Sequence, residues 1–239
     1  MFRFKQFTIR QDRAAMKVCT DACVLGAYAN VTGAQQTADR VERILDIGTG
    51  TGLLALMAAQ RNVTAIVDAV EVDDSAVEQA IENVSDSPFA SRIHVIHTRI
   101  QEFVNQAAYD RILTNPPFYT NHLRSPDAAV NRALHTDELP FEELLAAVVR
   151  FLKPAGQWWV LLPPYESQKI SELAATSGLK PFQRLMLRHH AEKPFFRVIT
   201  GFCFDNLPVT DQVMTIHEHD GRTYTAEFRA LLRDFYLIF

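Results

Sequence analysis

The 239-residue sequence holds only three cysteines and nine glycines, no long apolar run and no excess of basic charge. Cys19, Cys23 and Cys203 form no even set of pairs, and Cys19-x-x-x-Cys23 lacks a second ligand pair at zinc-like spacing. All three read as reduced thiols, and no metal site is expected. No segment approaches the ~20 apolar residues that span a bilayer, and Met1-Phe2-Arg3-Phe4-Lys5 lacks the apolar stretch of a secretion signal. A cytoplasmic protein without membrane contact is the expectation. The net charge of −4 excludes a generally attractive field for nucleic acid, so such a partner would need a local basic surface.

Low-complexity tracts, internal repeats and Gly/Ser linkers are also missing. With 48% apolar and 22% charged residues, the chain suits one filled core. We expect a single domain over 1–239, comprising an N-terminal extension (1–40), a core (41–205) and a C-terminal strand and helix (206–239), acting as a monomer. What is present is an alternation of strand-like and helix-like segments. Arg43–Ile47 predicts a buried strand and Leu53–Ala59 a buried helix. Thr64–Glu71 predicts the next strand, followed by a helix to about Asn83 with Asp74 as its cap. Further strands are expected at 92–97, 109–114 and 157–162, with an amphipathic helix from about Glu138 to Phe151. Lys180–His190 and Phe195–Phe204 predict an antiparallel hairpin at the sheet edge. The fold class is therefore α/β, a seven-stranded, mostly parallel Rossmann-like sheet with helices on both faces. In the extension, a helix is expected from Asp21 with Thr20 as its cap. Trp158 and Trp159, adjacent in a strand, should pack on opposite faces.

Asp46-Ile-Gly-Thr-Gly-Thr-Gly52 links the first core strand to its helix, and its glycines permit a sharp turn and close approach to a ligand. A plain βα turn would explain the glycines alone. Glu71, at the end of the next strand, adds a carboxylate able to accept ribose hydroxyl protons, and the pair together points to a nucleotide-like ligand. Residues 40–205 thereby resemble the class I methyltransferases, in which an acid opens a Gly-rich loop and a second acid follows the next strand. The resemblance implies S-adenosylmethionine as cofactor, with Asp46, Gly48, Gly50 and Gly52 toward its methionine part and Glu71 at the ribose. Where that class often has an acid facing adenine, this chain has Arg99 and Ile100, with Gln101 and Glu102 close by.

Thr114 is followed by Asn115-Pro116-Pro117-Phe118, in which two prolines fix φ and remove two backbone donors. The loop is stiff and rich in acceptors. An amine conjugated to a ring is a poor nucleophile. If the Asn115 side-chain oxygen and the Pro116 carbonyl accept its two N–H protons, the lone pair is freed for attack. Phe118 would stack on the planar substrate. An isolated Asn-Pro-Pro would equally be a rigid turn, but this one follows a strand after a glycine loop and a ribose acid.

Asn-Pro-Pro-aromatic enzymes act on adenine, guanine or glutamine amines, so the tetrapeptide leaves the substrate open. Phe4-Lys-Gln-Phe7, Gln11-Asp-Arg13, Met16-Lys-Val-Cys-Thr-Asp21, Tyr224-Thr225 and Phe235-Tyr236-Leu237 resemble the bacterial tRNA1(Val) adenine N6-methyltransferase family over nearly the whole chain. Cys19 stands where that family commonly has glycine. The resemblance implies transfer of a methyl group to N6 of adenine 37 in tRNA, and places Lys17, Thr20 and Asp21 at the cofactor mouth. Thr20 and Asp21 read equally as a helix cap and a first-turn acid. The same chemistry on ribosomal RNA guanine or protein glutamine is the alternative, and a non-catalytic nucleotide-sensing or RNA-binding module is the reading from another class. For RNA phosphates, Arg184, Arg188, Lys193 and Arg197 of the hairpin are the candidates, interleaved with Phe195 and Phe196. Solvation of an edge hairpin explains them as well. Arg3, Lys5, Arg10 and Arg13 form a second candidate patch. His94, His97 and His135 show no carboxylate or i,i+4 partner pattern and read as structural.

Overall fold

A computed structural model describes residues 1–14, 16–33, 40–117 and 139–239. After a two-stranded hairpin, β1 (Phe2–Arg3) and β2 (Thr8–Ile9), come α1 (Thr20–Tyr28), β3 (Arg43–Ile47), α2 (Leu53–Arg61), β4 (Ile66–Glu71) and α3 (Asp74–Ser85). The chain continues through β5 (Ile93–His97), β6 (Tyr109–Thr114), α4 (Phe141–Phe151) and β7 (Leu152–Leu162). It ends with α5 (Pro164–Thr176), β8 (Lys180–Arg188), β9 (Arg197–Cys203), β10 (Thr210–Thr215) and α6 (Ala226–Leu232). The main sheet has the order β10-β8-β9-β7-β6-β3-β4-β5. Neighbours from β7 to β5 pair parallel, and only β9 runs against the rest.

From β3 the chain steps outward to β4 and β5, then returns to place β6 on the other side of β3. That reversal opens a crevice at the carboxyl ends of β3 and β6. Register makes it specific. Ile47 is paired with Thr114, so the glycine loop and Asn115 each begin one residue beyond the same rung.

Each face of the sheet carries its own core. One packs α1, α2 and α6 under Trp159, and the other packs α4 and α5 under Trp158. The two indoles therefore face opposite ways, as alternation requires. Both are essentially buried. Trp158 stacks on Phe202 with centroids 5.0 Å apart, while its indole N–H donates to Thr114 Oγ1 at 3.1 Å. Phe202 and Trp158 thus brace the strand end from which Asn115 departs.

The sheet has eight strands rather than the expected seven. β10 pairs with β8 from Thr210–Gln183 to Thr215–Arg188 and satisfies backbone groups that an edge would leave open. The β8–β9 hairpin consequently lies one strand in from the edge. Thr20 is the first residue of α1 and not its cap; Cys19 holds the cap position without a side-chain bond. Asp73, rather than Asp74, caps α3 by accepting from the Ala76 N–H at 2.9 Å. Helix α5 is absent from the elements expected above, and a proline inside a helix would break it. Pro164 instead occupies the first helical turn, where no intrahelical donor is needed. Among the described residues no helix is long and apolar enough to cross a membrane.

Replacing Trp158 by Phe removes ring volume from a filled core and leaves the Thr114 hydroxyl without its donor. A loss of about 1–3 kcal/mol in unfolding free energy is expected in a urea titration.

Candidate active site

At the carboxyl end of the sheet lies a cavity of about 580 Å³, within the range of small-molecule sites. Its floor is the β3–α2 loop. Gly48, Gly50 and Gly52 have φ of 70°, 56° and 84°, a region that side-chain-bearing residues avoid. At Gly48 and Gly50 an added Cβ would meet nothing within 4 Å, so a ligand can approach the loop backbone there without meeting a side chain. Gly52 does not line the cavity. It caps α2, with an added Cβ 3.7 Å from Ala80.

The loop is held from behind by Asp46, which is fully buried and is not among the cavity-lining residues. Asp46 Oδ2 accepts from the Thr49 hydroxyl at 2.6 Å and the Ala55 N–H at 3.1 Å, while Oδ1 is buried with no partner. Burial raises its pKa to about 7, with a further upward push from the Glu71 charge; the bonds from Thr49 and Ala55 act the other way. Glu71 itself lines the cavity. Its Oε2 accepts from the Gly50 N–H at 2.8 Å, and its Oε1 from Val72 and Asp73 N–H at 2.8 and 3.0 Å. Asp73 and Asp74 continue this wall, a contribution not read from the sequence.

Thr98, Arg99, Ile100 and Gln101 line the side beyond β5, whereas Glu102 does not. Gln101 Nε2 donates to Glu143 of α4 at 2.6 Å. On the opposite side Asn115, Pro116 and Pro117 reach the same cavity, so register and loop together unite the glycines, Glu71 and the proline motif. Phe118 and His135 lie outside the described residues.

The roof comes from the N-terminal segment, through Ala14, Met16, Lys17, Val18 and Cys19. Lys17 is on the wall as expected; Thr20 and Asp21 are not. Asp21 is buried and paired with Arg197 Nε at 2.8 Å, tying α1 to the start of β9. Burial, chiefly, pushes the Cys19 thiol up to about 12, and the Asp21 charge adds to it, so the thiol stays neutral.

The hairpin cations are not equivalent. Arg184 is held by Asp211 through two bonds of 2.7 and 2.9 Å, and Arg197 by Asp21. Arg188 donates to Thr215 Oγ1 and the Ala191 carbonyl, both at 2.9 Å, with its guanidinium 6.0 Å from the Phe195 ring. Lys193 is exposed in the connecting turn. Because Thr114 pairs with Val160, and Val160 with Thr200, this turn projects from the same sheet end as Asn115. The second candidate patch is largely committed elsewhere: Arg10 and Arg13 pair with Glu78, Glu82 and Asp86. His94 and His97 do have carboxylate partners, Asp68 at 3.0 Å and Asp74 at 3.2 Å. No group of three metal-binding side chains occurs among the described residues.

A Rossmann-like sheet whose glycine loop, following acid and proline-rich strand end share one cavity defines a class I methyltransferase domain. Residues 34–168 match the family profile of the methyltransferase small domain. A Dyadobacter fermentans protein named tRNA1(Val) (adenine(37)-N6)-methyltransferase is 50% identical, with 100% of this chain and 98% of that protein aligned. One of the same name from Trichodesmium erythraeum is 42% identical over 99% of this chain and 97% of its own. Among solved structures, a predicted O-methyltransferase from Agrobacterium tumefaciens superposes with a TM-score of 0.68 at 18% identity, covering 90% of this chain and 96% of that one. A methyltransferase from Pyrococcus furiosus gives 0.60 at 19% identity, with coverages of 84% and 90%. The chain belongs to the tRNA1(Val) (adenine(37)-N6)-methyltransferase family.

The raised Asp46 pKa has a definite consequence for stability. Between the ordinary carboxylate range and about 7, the folded protein keeps a proton that the unfolded chain has released. Stability therefore falls as pH rises through that window and levels off above it. Asp46→Asn keeps the shape and an acceptor oxygen without the titration. Melting curves from pH 5 to 8 should show the wild type losing on the order of 2 kcal/mol relative to this variant. Parallel curves for the two proteins would contradict the assignment.

Proposed function

We propose that this protein transfers a methyl group from S-adenosylmethionine to the exocyclic N6 amine of adenine 37 in tRNA1(Val), working as one catalytic domain in the cytoplasm. The observation that carries the reading is the placement of Asn115-Pro116-Pro117 on the wall of the cavity that also holds the glycine loop and Glu71. The full-length relatives bearing that activity in their names support the choice of amine.

The residues present fit the cofactor. Open space over Gly48 and Gly50 lets a carboxylate or ribose come close to the loop backbone without meeting a side chain. A carboxylate has about four acceptor positions. Backbone N–H groups occupy three on Glu71, which leaves one for a ribose hydroxyl. Accepting both hydroxyls requires one of these bonds, such as that from Gly50, to yield. Arg99 and Ile100 would flank the adenine, and Lys17 would close the methionine end. Asp46 acts on the cofactor indirectly by holding the loop.

When bound, S-adenosylmethionine supplies an electrophilic methyl on a sulfonium. The protein supplies orientation. The Asn115 side-chain oxygen and the Pro116 carbonyl accept the two N6 protons, which pyramidalises the nitrogen and aims its lone pair at the methyl carbon. Pro117 stiffens the loop, and the Trp158 bond to Thr114 fixes its origin. The proton leaves the methylated nitrogen after transfer, so no strong base is needed. Arg188 and Lys193, at the same sheet end, would contact RNA phosphates; Arg184 and Arg197 would do so less, their charges being matched by Asp211 and Asp21.

Asn115→Ala should lower kcat by about 100-fold or more while leaving S-adenosylhomocysteine affinity intact. Mass spectrometry of nucleosides from bulk tRNA incubated with protein and cofactor should reveal N6-methyladenosine. Its absence alongside methylguanosine would move the substrate, and failure to bind S-adenosylhomocysteine would refute the cofactor. Arg188→Ala and Lys193→Ala should each raise KM for tRNA and reduce the logarithmic salt slope by about 1. Arg184→Ala should change both less.

A further inference from the structure

The roof of the cavity and its floor meet on one side chain. Asn83, on the buried face of α3, is 2% exposed and does not itself line the cavity. Its Oδ1 accepts from the Arg10 N–H at 2.8 Å, and its Nδ2 donates to the Arg10 carbonyl at 2.9 Å. The same Nδ2 donates to the Thr51 carbonyl, in the glycine loop, at 2.9 Å. One turn earlier, fully buried Gln79 accepts from the Arg13 N–H at 3.2 Å and donates to Glu82 at 3.0 Å. Outside this seam Glu82 pairs with both Arg10 and Arg13. Downstream of these anchors the strap supplies Ala14, Met16, Lys17, Val18 and Cys19 to the cavity, and Gln11 Oε1 accepts from the Val18 N–H at 2.7 Å.

We propose that Asn83 is a positioning residue for cofactor binding: its amide clamps the N-terminal strap to the glycine loop, so the roof and floor of the cavity are set by one group. Like a neighbouring strand, the amide satisfies both backbone groups of Arg10, and it spends its second proton on Thr51. Loss of the amide leaves three backbone groups without this partner, a buried carbonyl on the loop and two part-buried groups on the strap. Both walls then loosen together. The Asn115 loop is anchored separately through Trp158, so alignment of the amine is spared.

The inference rests on the cavity being the cofactor site, and the experiment separates the two. Hydrogen exchange of the free protein is compared for wild type and Asn83→Ala. Exchange should quicken in both residues 10–14 and residues 48–52. Calorimetry with S-adenosylhomocysteine should show Kd raised about tenfold, with KM for S-adenosylmethionine following and kcat at saturation held within about twofold. Quickening confined to α3, or a Kd within about twofold of wild type, would overturn the clamp. A fall in kcat at unchanged Kd would do so too. If Asn83→Ala does not fold, the milder Asn83→Ser serves, since its short hydroxyl cannot hold the Arg10 N–H, the Arg10 carbonyl and the Thr51 carbonyl together. It should quicken exchange in both strap and loop and weaken S-adenosylhomocysteine binding severalfold, and wild-type affinity there would overturn the proposal. Should the wild type itself not bind S-adenosylhomocysteine, the cofactor reading fails, whereas coupled exchange of strap and loop still decides the clamp.

Discussion

The Val70 carbonyl, at the end of β4, accepts the N–H groups of both Gly48 and Thr49, at 2.9 and 3.0 Å. This doubly used acceptor folds the chain leaving β3 back across the tip of its neighbour. Only a left-handed backbone can make so tight a return, which is why glycines recur there. The return also delivers the next residue, Glu71, to the Gly50 N–H. Asp46 then locks the loop from beneath, accepting from the Thr49 hydroxyl and from the Ala55 N–H in the first turn of α2. Floor, Glu71 carboxylate and helix entry thus follow from one carbonyl.

Much of this was legible because it is local. Strand β6 spans Tyr109–Thr114, the bounds expected from the sequence, and the glycine loop announces itself by composition. Their juxtaposition was legible through topology, since parallel strands with intervening helices bring their carboxyl ends to one side. What escaped depends on partners distant in sequence. Pro164 reads as a breaker until one notices that Ser167, Ile170 and Ala174 share a buried stripe with helical spacing. That Arg184 and Arg197 have acidic partners is invisible from positions 184 and 197, because Asp211 and Asp21 arrive from another strand and another helix. The same holds for Arg10 and Arg13, whose spacing suggested a nucleic-acid patch and whose partners are the acids of α3.

Charge is accordingly used in two ways. In the strap it fastens one segment to another at the surface, where each exposed pair contributes little alone and several act together. At the hairpin turn, Arg188 and Lys193 have no acidic side-chain partner among the described residues, and both sit at the sheet end that carries Asn115. With a net charge of −4, attraction for a polyanion must be this localised.

The base of the strap rests on the far end of the chain. Lys5 Nζ donates to the carbonyls of Arg233 and Phe239 at 2.6 and 2.8 Å, and Phe4 bridges to Tyr236. Because more than two hundred residues separate these partners, their contact closes one of the longest loops the chain can make. Contacts between segments so far apart in sequence are slow to form, whereas β3 and β4, which carry the glycine loop, are close neighbours in the chain. On refolding, the floor of the cavity is expected to set before the base of its roof, so an early intermediate would hold a formed glycine loop beneath an open pocket.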